Sequence, residues 1–137
     1  MQVPLERVPE QVRQNQRAVL VTYRKDGGLQ TSPVRITDDP QGAIILTSNE
    51  GRAKPTNIAR DPRVTLCVVT SKWSGGGWMS IDGRAELVHL PEAMPLLEEF
   101  YRRSEFHEHP NWDEYRQTME AQRRVLIRIT PTRAAVP

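Results

Sequence analysis

Cysteine is nearly absent. Cys67 is the only one in 137 residues, so an intrachain disulfide or a cysteine-built zinc cluster is excluded. Long apolar runs are missing as well. No segment approaches the roughly 20 apolar residues that a membrane-spanning helix needs, and the N-terminus lacks a signal-peptide core. A soluble, cytoplasmic protein with no membrane span is the expectation. Charge of one sign is not in excess either: 19 basic residues stand against 17 acidic ones, a net +2. That balance gives none of the broad basic field that drives nucleic-acid binding. Only 37% of the residues are hydrophobic and mean hydropathy is −0.60. A chain of this length and polarity has a thin core, which makes a core shared between copies a reasonable expectation.

The usual catalytic signatures are also missing. There is no Gly-x-Ser-x-Gly elbow, no P-loop and no Rossmann glycine pattern. Asp82 and Glu86 lie four apart on one expected strand, and nothing makes them an acid–base pair. His107 and His109, flanked by Glu105 and Glu108, are two candidate ligands without a third, so no metal site is assigned. No catalytic side chain is named. Such a chain can still be an enzyme when a cofactor carries the chemistry.

What is present is a succession of strands. Val8 and Val12 fall at helical spacing in a short N-terminal helix that buries little. Ala18–Tyr23 is rich in β-branched residues and runs into the Lys25-Asp26-Gly27-Gly28 hairpin turn. The next strand, Leu29–Ile36, contains Pro33, which calls for an edge, a bulge or exposed backbone. After the turn at Asp38–Gly42, Ala43–Thr47 is a third strand. Val64–Thr70 is the fourth, with Cys67 read as core. A flexible loop, Ser71–Gly77, precedes a long strand, Trp78–Val88, with a bend or bulge at Gly83. Pro91 opens a helical region with Met94, Leu97, Phe100 and Tyr101 on one face, and Trp112–Gln122 forms another helix. Arg124–Thr130 closes the sequence of strands, and the ending Pro131–Pro137 frays at its last residues. Six antiparallel strands with helical decoration form a barrel. With no internal repeat or linker, residues 1–137 read as a single domain.

The most informative stretch joins the third and fourth strands, from Thr47 to Arg63. Gly51 permits a sharp turn, Pro55 is tolerated in a first helical turn, and Pro62 ends the helix. Arg52 and Lys54 therefore sit at or just before a helix N-terminus, where free amides and the helix dipole favour an anion. Asn57, three residues after Lys54, lies on nearly the same face. Thr47 and Ser48 add hydroxyls at the preceding strand end. Together these residues make a phosphate cradle, with ordinary solvated cations as the alternative. Trp73 and Trp78 flank the glycine loop, and Trp78 serves either as core or as a wall for a planar ring.

The order of these elements resembles the pyridoxamine 5′-phosphate oxidase-like split β-barrel family. The shared features are Ser32-Pro33-Val34, Arg52-Ala53-Lys54-Pro55-Thr56-Asn57, Asp61-Pro62-Arg63, Trp78 through Gly83, Asn111–Arg116 and Arg123-Arg124-Val125. The resemblance is closest to the actinobacterial branch that uses the deazaflavin coenzyme F420. It implies a six-stranded antiparallel split barrel and a homodimer with the cofactor in a groove shared by the subunits. Arg52, Lys54 and Asn57 match the phosphate-binding positions, helped by Thr47 and Ser48. The backbone of Ser32, Pro33 and Val34 runs beside the ring, and Trp78 lines the groove. The implied activity is reduction of an electron-poor organic acceptor by reduced F420. An FMN-dependent enzyme of the same fold, or a non-catalytic cofactor- or tetrapyrrole-binding module, are the alternatives. Extra cations near the cradle, such as Arg60, Arg63 or Lys72, favour the longer anionic tail of F420. The acceptor is left open. The family's usual glycine after the last strand is replaced here by Arg133-Ala134-Ala135.

Overall fold

A computed structural model describes residues 1–70 and 77–137. Most of the glycine loop, including Trp73 and Lys72, lies outside the described residues, so the loop expected there is not addressed. The elements are β1 (Gln2–Val3), α1 (Val8–Gln14), β2 (Arg17–Tyr23), β3 (Leu29–Arg35), β4 (Thr37–Asp38), β5 (Ile44–Asn49), α2 (Ala53–Arg60), β6 (Arg63–Val69), β7 (Trp78–Val88), α3 (Met94–Glu105), α4 (Trp112–Ala121) and β8 (Arg124–Ala135). The six long strands are those expected from alternation. β1 and β4, of two residues each, are additional. Segments that short carry no periodic signal.

The strands form one antiparallel sheet in the order β3-β2-β6-β7-β8-β5-β4, with β1 added against β8. Among the described residues β3 pairs only with β2 and is an edge strand, so the amide that Pro33 lacks is not missed by a second neighbour. The bulge falls where glycine was expected to mark it. The β7–β8 register slips between Asp82 and Gly83, which face Arg133 and Pro131 and leave Thr132 unmatched. A Cβ on Gly83 would lie 2.6 Å from the Ile129 side chain and 2.8 Å from the Thr130 carbonyl oxygen. The backbones approach that closely only because no side chain intervenes.

Alternation divides the sheet into two faces. Ala18, Leu20, Leu66, Val68, Ile81, Ile44, Leu46, Ile127 and Ile129 meet in the barrel interior, joined by Ile58 of α2. Val8 and Val12 of α1 are fully buried in the same cluster, so the N-terminal helix closes the barrel rather than packing marginally. On the other face, Ile45 and Leu126 are covered by Leu97, Met94, Phe100 and Tyr101 of α3 and by Tyr115 and Met119 of α4. These are the positions that the three- and four-residue spacing placed on one helix face.

Two further expectations need correction. Cys67 is not core: it is half-buried on the outer face of β6, opposite Val19 and Ser80, because Leu66 and Val68 take the inward positions of that strand. The C-terminal tail is ordered further than expected, since β8 continues to Ala135 and the Met1 carbonyl accepts from the Val136 amide at 2.9 Å.

Candidate functional site

β5 ends at Asn49, and the chain reverses through Gly51, whose φ of +82° lies in the left-handed region; glycine enters it without strain. α2 follows, with Arg52 as its N-cap residue in an extended conformation. Pro55 occupies the third helical position, where its missing amide costs nothing. The Arg52 side chain makes no capping bond, and no acid lies in the first turn. Among the described residues, the amides of Ala53 and Lys54 have no hydrogen-bond partner, while that of Thr56 bonds the Arg52 carbonyl at 3.2 Å. Nor do the side chains of Arg52, exposed, or Lys54, half-buried, have a hydrogen bond or ion pair among the described residues. Open amides at the positive end of a helix, flanked by cations, suit a phosphate group. The donor set fits the anionic end of a flavin-type cofactor.

The other expected members of the cradle are placed differently. Asn57 is 6% exposed. It donates to the Thr22 hydroxyl at 3.1 Å and accepts from Arg60 at 2.8 Å. Its amide anchors α2 to β2, because Pro55, Asn57 and Ile58 form the buried side of the helix. Thr47 and Ser48 are adjacent on a strand and so point to opposite faces. Ser48 is buried on the barrel side, whereas the Thr47 hydroxyl accepts from Arg124 at 3.2 Å on the helix side. Arg60 and Arg63 are engaged too. Arg60 donates to the Tyr23 carbonyl at 2.8 Å. Arg63 pairs with Asp61 at 2.7 Å and lies 4.4 Å from the centre of the Tyr23 ring. Hydrogen bonds from the Arg63 guanidinium and backbone hold the Asp61 carboxyl down from 3.8 to about 2.

Ser32, Pro33 and Val34 lie on the edge strand, with Ser32 and Val34 opposite the inward-facing Leu20 and Ala18, and Pro33 on the outer face. Pro33 and Val34 border an open cleft of about 1020 Å³, together with Arg17, Val69 and Phe106. Trp78 is 37% exposed and lines a crevice of about 130 Å³ with Gln11, Val68 and Val136. It stands three strands from β3 in the sheet order, roughly 14 Å at ~4.8 Å per strand. α2 lies by the opposite end of β2, bonded at Thr22 and Tyr23. A single chain therefore does not bring Trp78, Ser32–Val34 and the start of α2 onto one wall.

A second concavity was not foreseen. Between the β5–β8 surface and α3–α4 lies a cavity of about 270 Å³ whose lining includes Arg35, Thr47, Tyr101, Tyr115 and Arg124. Burial pushes the Tyr115 hydroxyl up to about 12, and it donates to the Leu97 carbonyl at 2.7 Å. The sequence signal was available in part, since a cation at Arg124 alternates with the inward Val125.

Residues 5–136 match the family model described as pyridoxamine 5′-phosphate oxidase. The chain belongs to the pyridoxamine 5′-phosphate oxidase family. The expected split-barrel class agrees with solved structures. The chain is similar to the conserved hypothetical protein Rv2991 from Mycobacterium tuberculosis, with TM-score 0.79, 21% identity, and coverage of 98% of this chain and 84% of that one. It is similar to a protein described as F420 reductase, with TM-score 0.70, 22% identity and coverage of 97% and 98%. A putative pyridoxamine 5′-phosphate oxidase from Listeria innocua gives TM-score 0.68, 16% identity and 96% of both chains. At these identities the likeness is one of fold. The family is one of flavin- or deazaflavin-binding oxidoreductases. No described helix is long and apolar enough to cross a membrane.

Proposed function

We propose that this member of the pyridoxamine 5′-phosphate oxidase family is a cytoplasmic F420-dependent reductase, working as a homodimer of single-domain chains spanning residues 1–137. The observation that carries the reading is the uncapped, cation-flanked start of α2. Arg52, Lys54 and the free amides of Ala53 and Lys54 would hold the phosphate of the cofactor. Reduced F420, when bound, supplies a hydride to an electron-poor organic acceptor. The preference for F420 over FMN draws on the similar protein described as F420 reductase, matched over nearly the full length of both chains.

The protein's part is binding, orientation and exclusion of water. Val34 and Pro33 on the unpaired edge of β3 offer backbone and apolar surface beside the cleft. Trp78 offers an indole wall. Because one chain holds these elements apart, the reading assigns the ring a groove between two copies. The outer face of β3-β2-β6-β7 supports such an assembly. There Val19, Val21, Cys67 and Val69 are only half-buried, and Leu29 is 53% exposed. None of them belongs to either buried cluster.

Fluorescence titration of the purified protein with F420 tests the reading. Quenching with a stoichiometry of one per protomer is expected. A yellow, oxygen-reactive protein that takes up FMN and ignores F420 would replace it with a flavin enzyme. Tight cofactor binding with no acceptor reduced would leave a binding module.

A further inference from the structure

We infer that the cavity between the β5–β8 surface and α3–α4 is a separate binding site for a small aromatic carboxylate, with Arg124 as its anion anchor. Arg124 is half-buried and lines this cavity. Its guanidinium donates Nε to Gln122 at 2.9 Å and one Nη to the Thr47 hydroxyl at 3.2 Å. Among the described residues it has no carboxylate partner, and its other Nη makes no bond. A half-buried guanidinium with an open Nη and no carboxylate partner is a ready donor to an anion.

The remaining charges on the lining do not supply it. Arg35 and Glu105 neutralise each other at 2.9 Å. Glu114 is exposed, so its charge is screened by solvent. Tyr101, Tyr115 and Phe100 form an aromatic wall, the two tyrosines meeting edge to face with ring centres 5.4 Å apart, and Ser104, His109, Thr118 and Met119 complete the lining. The Tyr115 hydroxyl is already committed to the Leu97 carbonyl and is not free to donate into the cavity. A volume of about 270 Å³ lies just below the roughly 300 Å³ at which sites for drug-sized ligands begin, which limits the occupant to about one ring. A planar ring against the tyrosines, with one carboxylate on the open Nη of Arg124, fits these features.

Benzoate and its neutral isostere benzamide are the probes, read by calorimetry and by amide shifts in NMR on the full chain. Benzoate is expected to bind and to shift α3 and α4 resonances, with benzamide at least tenfold weaker. Arg124→Gln should weaken benzoate at least tenfold. Thr118→Phe, which narrows the cavity and leaves the charge in place, should do the same with the far-ultraviolet spectrum unchanged. The double variant Arg52→Ala, Lys54→Ala should bind benzoate as before, whatever becomes of its cofactor. Equal binding of benzoate and benzamide, no binding of either, or loss of benzoate in the α2 double variant would each overturn the site.

Discussion

α2 and α4 begin in opposite ways. At α4, Asn111 is an N-cap whose side chain accepts from the Glu114 amide at 3.1 Å, and Asp113 and Glu114 place carboxylates in the first turn. The free amides and the positive end of the dipole are satisfied from within the chain. At α2 the cap position holds Arg52 in the extended conformation that a capping side chain needs, yet no side chain caps, no acid follows and Lys54 adds a second cation. At α4 the terminus is completed from within the chain. The helix proposed to serve binding is left for an anion from outside, at some expense to its own stability.

The sharpest break of this contrast is the removal of both cations. With Arg52→Ala and Lys54→Ala together, loss of two charge-assisted contacts at ~1.5 kcal/mol each should weaken cofactor binding about a hundredfold. The melting temperature should stay within a degree or two, since both side chains are unpaired among the described residues. Fluorescence titration and a thermal melt read the two quantities. A smaller and opposite pattern is expected at α4: Asn111→Ala removes the cap and should lower stability by about 1 kcal/mol in denaturant unfolding, with cofactor affinity unchanged.

The faintest effect lies at the far end of α2. Because Arg63 holds Asp61 below its ordinary 3.8, at about 2, the folded state binds that proton less readily than the unfolded chain. The contribution is therefore present above pH ~4 and is lost as pH falls through about 2. Asp61→Asn should flatten the stability profile between those values and leave the protein slightly less stable at neutral pH, where the Asp61 contribution is otherwise present. Acid titration of the melting temperature for both proteins makes the comparison.

Much of the fold was legible because alternation is a strong signal when one strand face is buried. β2 and β6 read correctly from Ala18, Leu20, Leu66 and Val68, and Pro33 correctly marked an edge. At the candidate site the local geometry was legible, a turn at Gly51 followed by an extended N-cap at Arg52 and cations unpaired among the described residues. Side-chain partners that come from afar were not. Asn57 resembled a ligand because the spacing ignores Thr22, which lies 35 residues away and takes its amide. Arg60 and Arg63 counted as spare cations until the Tyr23 carbonyl, Asp61 and the Tyr23 ring were seen to engage them. Thr47 and Ser48 could have been separated from the outset, since neighbours on a strand face opposite ways. Cys67 misled for a related reason: an unbroken apolar run does not reveal which of its faces is covered.

The most direct test of the open helix start is Arg52→Asp, which supplies α2 with the kind of cap that α4 has. The account predicts opposite movements: stability rises by about 1 kcal/mol as the carboxylate takes the free amides, while F420 affinity falls at least a hundredfold as the same carboxylate repels the phosphate. If titration of this variant returned the affinity of the unaltered protein, the start of α2 would not be where the cofactor is held.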